Sequence, residues 1–175
     1  MIPELERVVD PAYVVGVAEA PIERIRAMRT ECAELENGTS YVRRLAQGRL
    51  DLLAEETRRR SEGGGGNLGE LVAGLADLMS ERVRSSVSGR VDPQLEPPDH
   101  VVDPLCTVLD AVVGAPIVSA VVELTDTELA DALDGIQHFE VELSHIRRSL
   151  HSVIDSLNNE LARRISASDS PAGPS

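Results

Sequence analysis

ELENGTSYVRRLAQGRLD (Glu34–Asp51) and EVELSHIRRSLHSVID (Glu140–Asp155) decide how this chain is read. Each holds five polar residues at one spacing. They are Glu36, Ser40, Arg43, Gln47 and Asp51 in the first stretch, and Glu140, Ser144, Arg147, His151 and Asp155 in the second. Both follow E-x3-S-x2-R-x3-[Q/H]-x3-D at a constant offset of 104 residues, and only the fourth position differs. With each residue type at roughly 7% abundance, such a four-of-five match has odds of about one in 10^4 per alignment. Steps of four, three, four and four are helix steps. At 100° per residue the five residues of each copy fall within an arc of about 80°.

Apolar residues recur every three or four positions around both stretches, which predicts two long helices. The first runs over residues 21–60, on Ile22, Ile25, Met28, Cys32, Leu35, Thr39, Val42, Ala46 and Leu53, with Pro21 placed to open it. The second runs over 125–165, on Leu129, Leu133, Ile136, Leu143, Leu150, Ile154, Leu157 and Leu161. Thr125 and Glu128 form a T-x-x-E capping box ahead of it. Residues 1–20 have no clear period and read as an N-terminal arm. Residues 61–66 (SEGGGG) are a Gly-rich break. Residues 67–124 hold a second amphipathic stretch (Leu68–Val87), a run of prolines ending at Pro104, and short helical pieces from Leu105 to Val122. Residues 166–175 (SASDSPAGPS) have the composition of a disordered tail. Gly38 and Gly48 each cost about 1 kcal/mol inside a helix, and nothing in the sequence explains Gly38.

Composition narrows the function. The net charge is -13 and every basic residue among the Lys and Arg is an arginine. That field disfavours direct DNA binding. The absence of lysine matches the codon usage of GC-rich genes. Aromatic residues are 2% of the chain, which argues against a β-sandwich or an aromatic-lined pocket. Cys32 and Cys106 have neither metal-ligand spacing nor a disulfide framework, and the expected compartment is reducing. No signal peptide is visible. The apolar run Ala111–Val122 is too short for a bilayer and is interrupted by Pro116. A soluble, cytoplasmic protein is expected, without a membrane segment. No catalytic set emerges: Ser144 and the adjacent His145 point about 100° apart on a helix, and the four glycines are flanked by helices, not by a strand and a helix. An enzyme is not expected, and no metal site is. His100, between Asp99 and Asp103, reads as a loop residue.

In both helices the polar ledge lies about 90° to the same side of the apolar stripe. If the stripes pack together in parallel, the ledges end on opposite sides. If they pack antiparallel, both ledges face one side. The predicted fold is therefore all-α, a long antiparallel coiled-coil hairpin with shorter helices in the connection. Centring the motifs places Arg43 beside Arg147, Ser40 near His151, Gln47 near Ser144, Glu36 near Asp155, and Asp51 near Glu140. Central arginines suit phosphate or the O6/N7 edge of guanine, and carboxylates suit guanine N1–H and N2–H2. Two symmetric guanines joined through phosphates describe cyclic di-GMP.

The doubled motif resembles the signature of the RsiG anti-sigma factors of actinobacteria, which bind a cyclic di-GMP dimer on an antiparallel coiled coil. The first copy matches at every position. The second has His151 where the family pattern has Gln. Neutral imidazole still donates and accepts one bond each, with added sensitivity to pH. The resemblance implies cyclic di-GMP as ligand, two molecules of it, held by the ten residues. It also implies a partner: a sporulation sigma factor of the WhiG, flagellar class, sequestered from RNA polymerase. Two other readings stand beside it. One is a structural coiled-coil adaptor without a small ligand, whose Glu, Arg and Asp residues only decorate a solvated flank. The other is a cyclic di-GMP effector with a different protein partner.

Overall fold

Two stripes of apolar residues at helical spacing need a partner surface, and in this chain they find each other. The computed structural model describes residues 2–63 and 97–168. In chain order these form α1 (Pro3–Val9), a 3-10 turn (Pro11–Val14), α2 (Ile22–Ser61), α3 (Asp99–Val113), α4 (Ala115–Ser119) and α5 (Asp126–Ser168). No strand occurs among the described residues. The fold is all-α, with α2 and α5 as its two long members. They run antiparallel, as three cross-links show: Arg29 Nε donates to Asn158 Oδ1 at 2.7 Å, Arg60 reaches Asp126 at 2.8 Å, and Arg164 reaches the carbonyl of Ala20 at 2.5 Å. The expected helix at Leu68–Val87 lies outside the described residues, as do most of the Gly-rich break and residues 169–175 of the expected tail; the first three residues of that tail, 166–168, instead continue α5.

The core repeats at the offset of the polar motif. Ile25 and Leu129, Cys32 and Ile136, Val42 and Ile146, and Leu53 and Leu157 are all buried. So are Leu35 and Phe139, and Ala46 and Leu150. Each fully buried Leu or Ile contributes about 1.5–3 kcal/mol, so this seam is the main stabilising element. The ends repeat as well. Glu56 orients Arg60, which donates to the carbonyls of Val121 (3.2 Å) and Val122 (3.5 Å). At the opposite end Glu160 orients Arg164, which donates to the carbonyls of Val17 and Ala18, both at 2.9 Å. The members of each pair again differ by 104 in number. The molecule is thus two copies of one unit, a short helix, a turn and a long helix, related by a pseudo-two-fold axis.

Two sequence expectations are corrected here. The first twenty residues are not a loose arm: Leu5 and Val8 are fully buried, and α1 packs on α5. Period alone missed α1 because it spans under two turns. Its place is pinned by Arg7, which pairs with Glu31 and lies over the Tyr13 ring, while Tyr13 donates to Glu31 at 2.8 Å. Next, α3 starts at Asp99 and carries Pro104 inside it. The proline removes a bond to the carbonyl of His100, which sits on the exposed first turn, where water can replace it. Burial of Val101, Leu105, Leu109 and Val113 offsets the loss, so His100 lies on a helix and not in a loop. At the C-terminal end of α2 the run Arg58–Arg60 both complements the helix dipole and makes specific contacts. Arg59 is buried against Glu56, and Arg60 is the clamp described above.

Gly38 now has a reason. A Cβ there would stand 2.6 Å from Val101 Cγ1 of α3. Eleven residues on, Arg49 donates to the Val113 carbonyl and pairs with Asp110, both at 2.6 Å, fixing the C-terminal end of α3. Gly38 lies roughly 180° around α2 from the middle of the polar ledge, so α3 covers the back of the hairpin and leaves the front clear.

Two predictions follow from this packing. Gly38→Ala should lower stability by about 1–3 kcal/mol in urea unfolding, because Val101 and α3 must shift. Gly48→Ala, with nothing within 4 Å of the added methyl, should raise it by about 0.5–1 kcal/mol. The end clamps set an acid limit. The Arg163 and Arg164 guanidiniums hold the Glu160 carboxyl down at about 2, and those of Arg59 and Arg60 hold Glu56 below the usual range. A depressed carboxyl stabilises the fold fully above its unfolded value of about 4.3 and loses that contribution as pH falls. Circular dichroism should show stability constant above about pH 5 and declining toward pH 2, with a shallower decline for Glu160→Gln.

Candidate functional site

On α2 and α5 the stripe that points at the partner helix is apolar, so the polar positions next to it lie along the seam. All ten motif residues lie on these two helices. His151 and Asp155 are exposed and the other eight are half-buried, so the face is open to solvent while its side chains are held. The bonds between them repeat across the pseudo-two-fold axis. Ser40 donates to Glu36 at 2.7 Å, and Ser144 to Glu140 at 3.0 Å. Arg43 crosses to Glu140 at 3.0 Å, and Arg147 crosses to Glu36 at 3.1 Å. Each glutamate therefore receives the serine one turn after it on its own helix and the arginine of the other helix.

This register differs from the one obtained by centring the motifs, by about one helical turn. Centring would set the Arg43 and Arg147 cations side by side. Sliding the helices puts each arginine against the opposite glutamate, which replaces repulsion by attraction. Glu36 and Glu140 consequently sit within the site. Asp155 lies one turn beyond His151 at one end, and Asp51 takes the equivalent place at the other.

The symmetry breaks at the one position where the motifs differ. His151 Nε2 crosses to Glu36 at 3.3 Å, joining Ser40 and Arg147 on that carboxylate. Gln47 instead turns along its own helix and donates to Asp51 at 3.3 Å. On Arg43, Nη1 is paired but Nε is buried without a hydrogen-bond partner. Charge and hydrogen bonding are concentrated in this strip. It offers arginine donors and carboxylate acceptors to a ligand, and each of its serine hydroxyls donates to the glutamate of its own helix. Among the described residues no group of three His, Cys, Asp or Glu side chains is arranged for a metal ion. No described helix is long and apolar enough to cross a membrane.

The ten residues chosen from sequence are thus brought onto one surface. Sequence reasoning missed Glu56, Arg60, Glu160 and Arg164, which close the two ends, and Arg49, which seats α3. The first four were legible in principle, since E-x2-R-R recurs at the same offset of 104.

The fold and this strip define an antiparallel helical hairpin whose two like halves present one shared polar face. The chain belongs to the RsiG-like family, which matches residues 12–79 and 116–174, more than half of its length. No curated protein and no solved structure matches it. Membership suggests an anti-sigma factor role with a sigma factor as partner, and the family is non-enzymatic in general.

The crossed pairs lend themselves to a double-mutant cycle. Arg43→Ala with Glu140→Ala, and Arg147→Ala with Glu36→Ala, should each give a coupling of about 0.2–1 kcal/mol in denaturant unfolding, since both pairs are partly solvated. A value near zero for both would mean that the pairs do not hold the register.

Proposed function

We propose that this chain is a cyclic di-GMP-dependent anti-sigma factor: it binds two molecules of the dinucleotide along the front of the hairpin, and the loaded form sequesters a sigma factor of the WhiG, flagellar class. The observation that supports this most is the reciprocal crossing of Arg43 to Glu140 and Arg147 to Glu36 on one open face. A two-fold ligand needs a two-fold set of donors and acceptors, and this strip supplies it. Arg43 and Arg147 would leave their glutamates to pair with phosphate or with O6/N7 of guanine. The freed carboxylates, with Asp51 and Asp155, would accept from guanine N1–H and N2–H2. Ser40, Ser144, Gln47 and His151 would add bonds to phosphate or ribose. In that exchange the unsatisfied Nε of Arg43 gains access to an acceptor, which lowers the cost of opening the pair.

Charge gives a reason for gating. Without ligand, four motif carboxylates line the front of a chain of net charge -13, a poor surface for another protein. A bound dinucleotide pair would occupy the hydrogen-bonding sites of these carboxylates and cover them with a flat, rigid aromatic face.

A second reading has an observation in its favour. Both arginines already hold carboxylates, so the strip is also self-consistent as a zipper in a structural adaptor with no small ligand. Calorimetry separates the two. The proposal expects heat at micromolar cyclic di-GMP and a loss of at least about tenfold in affinity for Arg43→Ala plus Arg147→Ala, as for charge-assisted bonds worth about 1.5–3 kcal/mol each. No heat, or equal binding by that variant, would sink it. Capture of a purified WhiG-class sigma factor with and without the dinucleotide tests the partner. A nucleotide effector with another partner would bind ligand and ignore the sigma factor.

A further inference from the structure

The repeat keeps one more charged pair next to the motif. Arg44 follows Arg43, and Arg148 follows Arg147, at the same offset of 104. Neither belongs to the five-residue pattern, the core seam or the end clamps. Both are exposed. At 100° per residue each lies about 60° beyond the middle of its ledge, roughly 160° from the apolar stripe. They therefore stand at the two outer rims of the front face, one on α2 and one on α5, related by the pseudo-two-fold axis.

Most described arginines of this chain hold a carboxylate, and these two do not. The chain carries 30 Asp and Glu against 17 Arg. Arg49, Arg58, Arg59, Arg60, Arg163 and Arg164 all hold a carboxylate. Arg44 has no ion pair among the described residues, and the Arg148 guanidinium does no more than touch the Ser144 carbonyl of its own helix at 3.2 Å. Arg24, Arg26 and Arg29 also have no carboxylate among the described residues, but Glu128, Ala130 and Leu133 stand at the equivalent positions, so the repeat does not keep them. A solvated arginine is ordinary. Two of them, kept in both halves and without an acid partner in so acidic a chain, mark where the site presents free positive charge.

Resting on the reading of the front face as a cyclic di-GMP site, we propose that Arg44 and Arg148 are two further ligand contacts. Each takes a phosphodiester of the dinucleotide pair at one rim, while Arg43 and Arg147 work nearer the seam. The planar guanidinium can pair with two phosphate oxygens at once, and a flexible side chain on the rim can close over the ligand after it has docked.

The test is calorimetric titration of the full chain with cyclic di-GMP. Arg44→Gln plus Arg148→Gln should weaken binding about tenfold or more and make affinity less sensitive to salt. Arg24→Gln plus Arg26→Gln removes the same charge and serves as control; Arg26 lies about 27 Å along α2 from Arg44. Its affinity should stay within about twofold of the parent, as screening over that distance demands. Arg44→Lys plus Arg148→Lys should recover part of the loss, since charge returns without the two-pronged geometry. Circular dichroism should be unchanged in every variant. Binding by the parent with no loss in the Arg44/Arg148 variant, or an equal loss in the control, overturns the rim contacts and leaves the cyclic di-GMP reading intact. Retained ligand affinity with lost capture of the sigma factor likewise overturns them, assigning the arginines to the partner. No binding by the parent overturns the nucleotide reading itself, and the rim contacts with it.

Discussion

One constraint governs this molecule: the same apolar stripe occurs twice, and each copy can be dried only by the other. Ile25, Cys32, Leu35, Val42 and Leu53 on α2 meet Leu129, Ile136, Phe139, Ile146 and Leu157 on α5, and every one of them is buried. Two like stripes packed antiparallel have their symmetry axis across the pair, so whatever lies beside the stripe on one helix must share a face with its counterpart on the other. The polar strip is a consequence of that geometry. The same axis places α1 on α5 and α3 on α2, and it puts an arginine clamp at each end of the hairpin.

Departures from the symmetry are as informative as the symmetry. Glu142, at the position equivalent to Gly38, is exposed, whereas Val101 of α3 leaves no room for a side chain at Gly38. Val153 stands where the first half has Arg49, so the anchor at the end of α3 has no counterpart under α1. At the front, His151 crosses to Glu36 while Gln47 stays on its own helix. One glutamate thus carries three donors and the other two. The two halves of the face are chemically alike but not equally strained against a ligand.

Much of this was legible without coordinates. Helix spacing marked both long elements, the T-x-x-E box marked the start of α5, where Thr125 and Glu128 bond reciprocally, and the shared offset between ledge and stripe favoured antiparallel packing. Short elements were not legible. α1 has too few turns for a period, and α3 carries a proline that usually ends a helix; both depend on burial against α2 and α5, a tertiary effect that outweighs local preference. The clamps left only the repeated E-x2-R-R in the sequence, which also reads as ordinary helix-surface charge, because the carbonyls they hold leave no mark there.

By itself the sequence determined which residues of each long helix face the seam and which five form the polar ledge beside it, because helical angle is a local property of residue number. It did not determine how far the two helices slide along each other. That distance depends on forces between elements: the fit of side chains in the seam, the arginine clamps at either end, and the preference of Arg43 and Arg147 for the opposite glutamates over each other. Only the tertiary structure could balance them, and it set the register about one turn away from the symmetric guess, turning a pair of adjacent arginines into two crossed ion pairs.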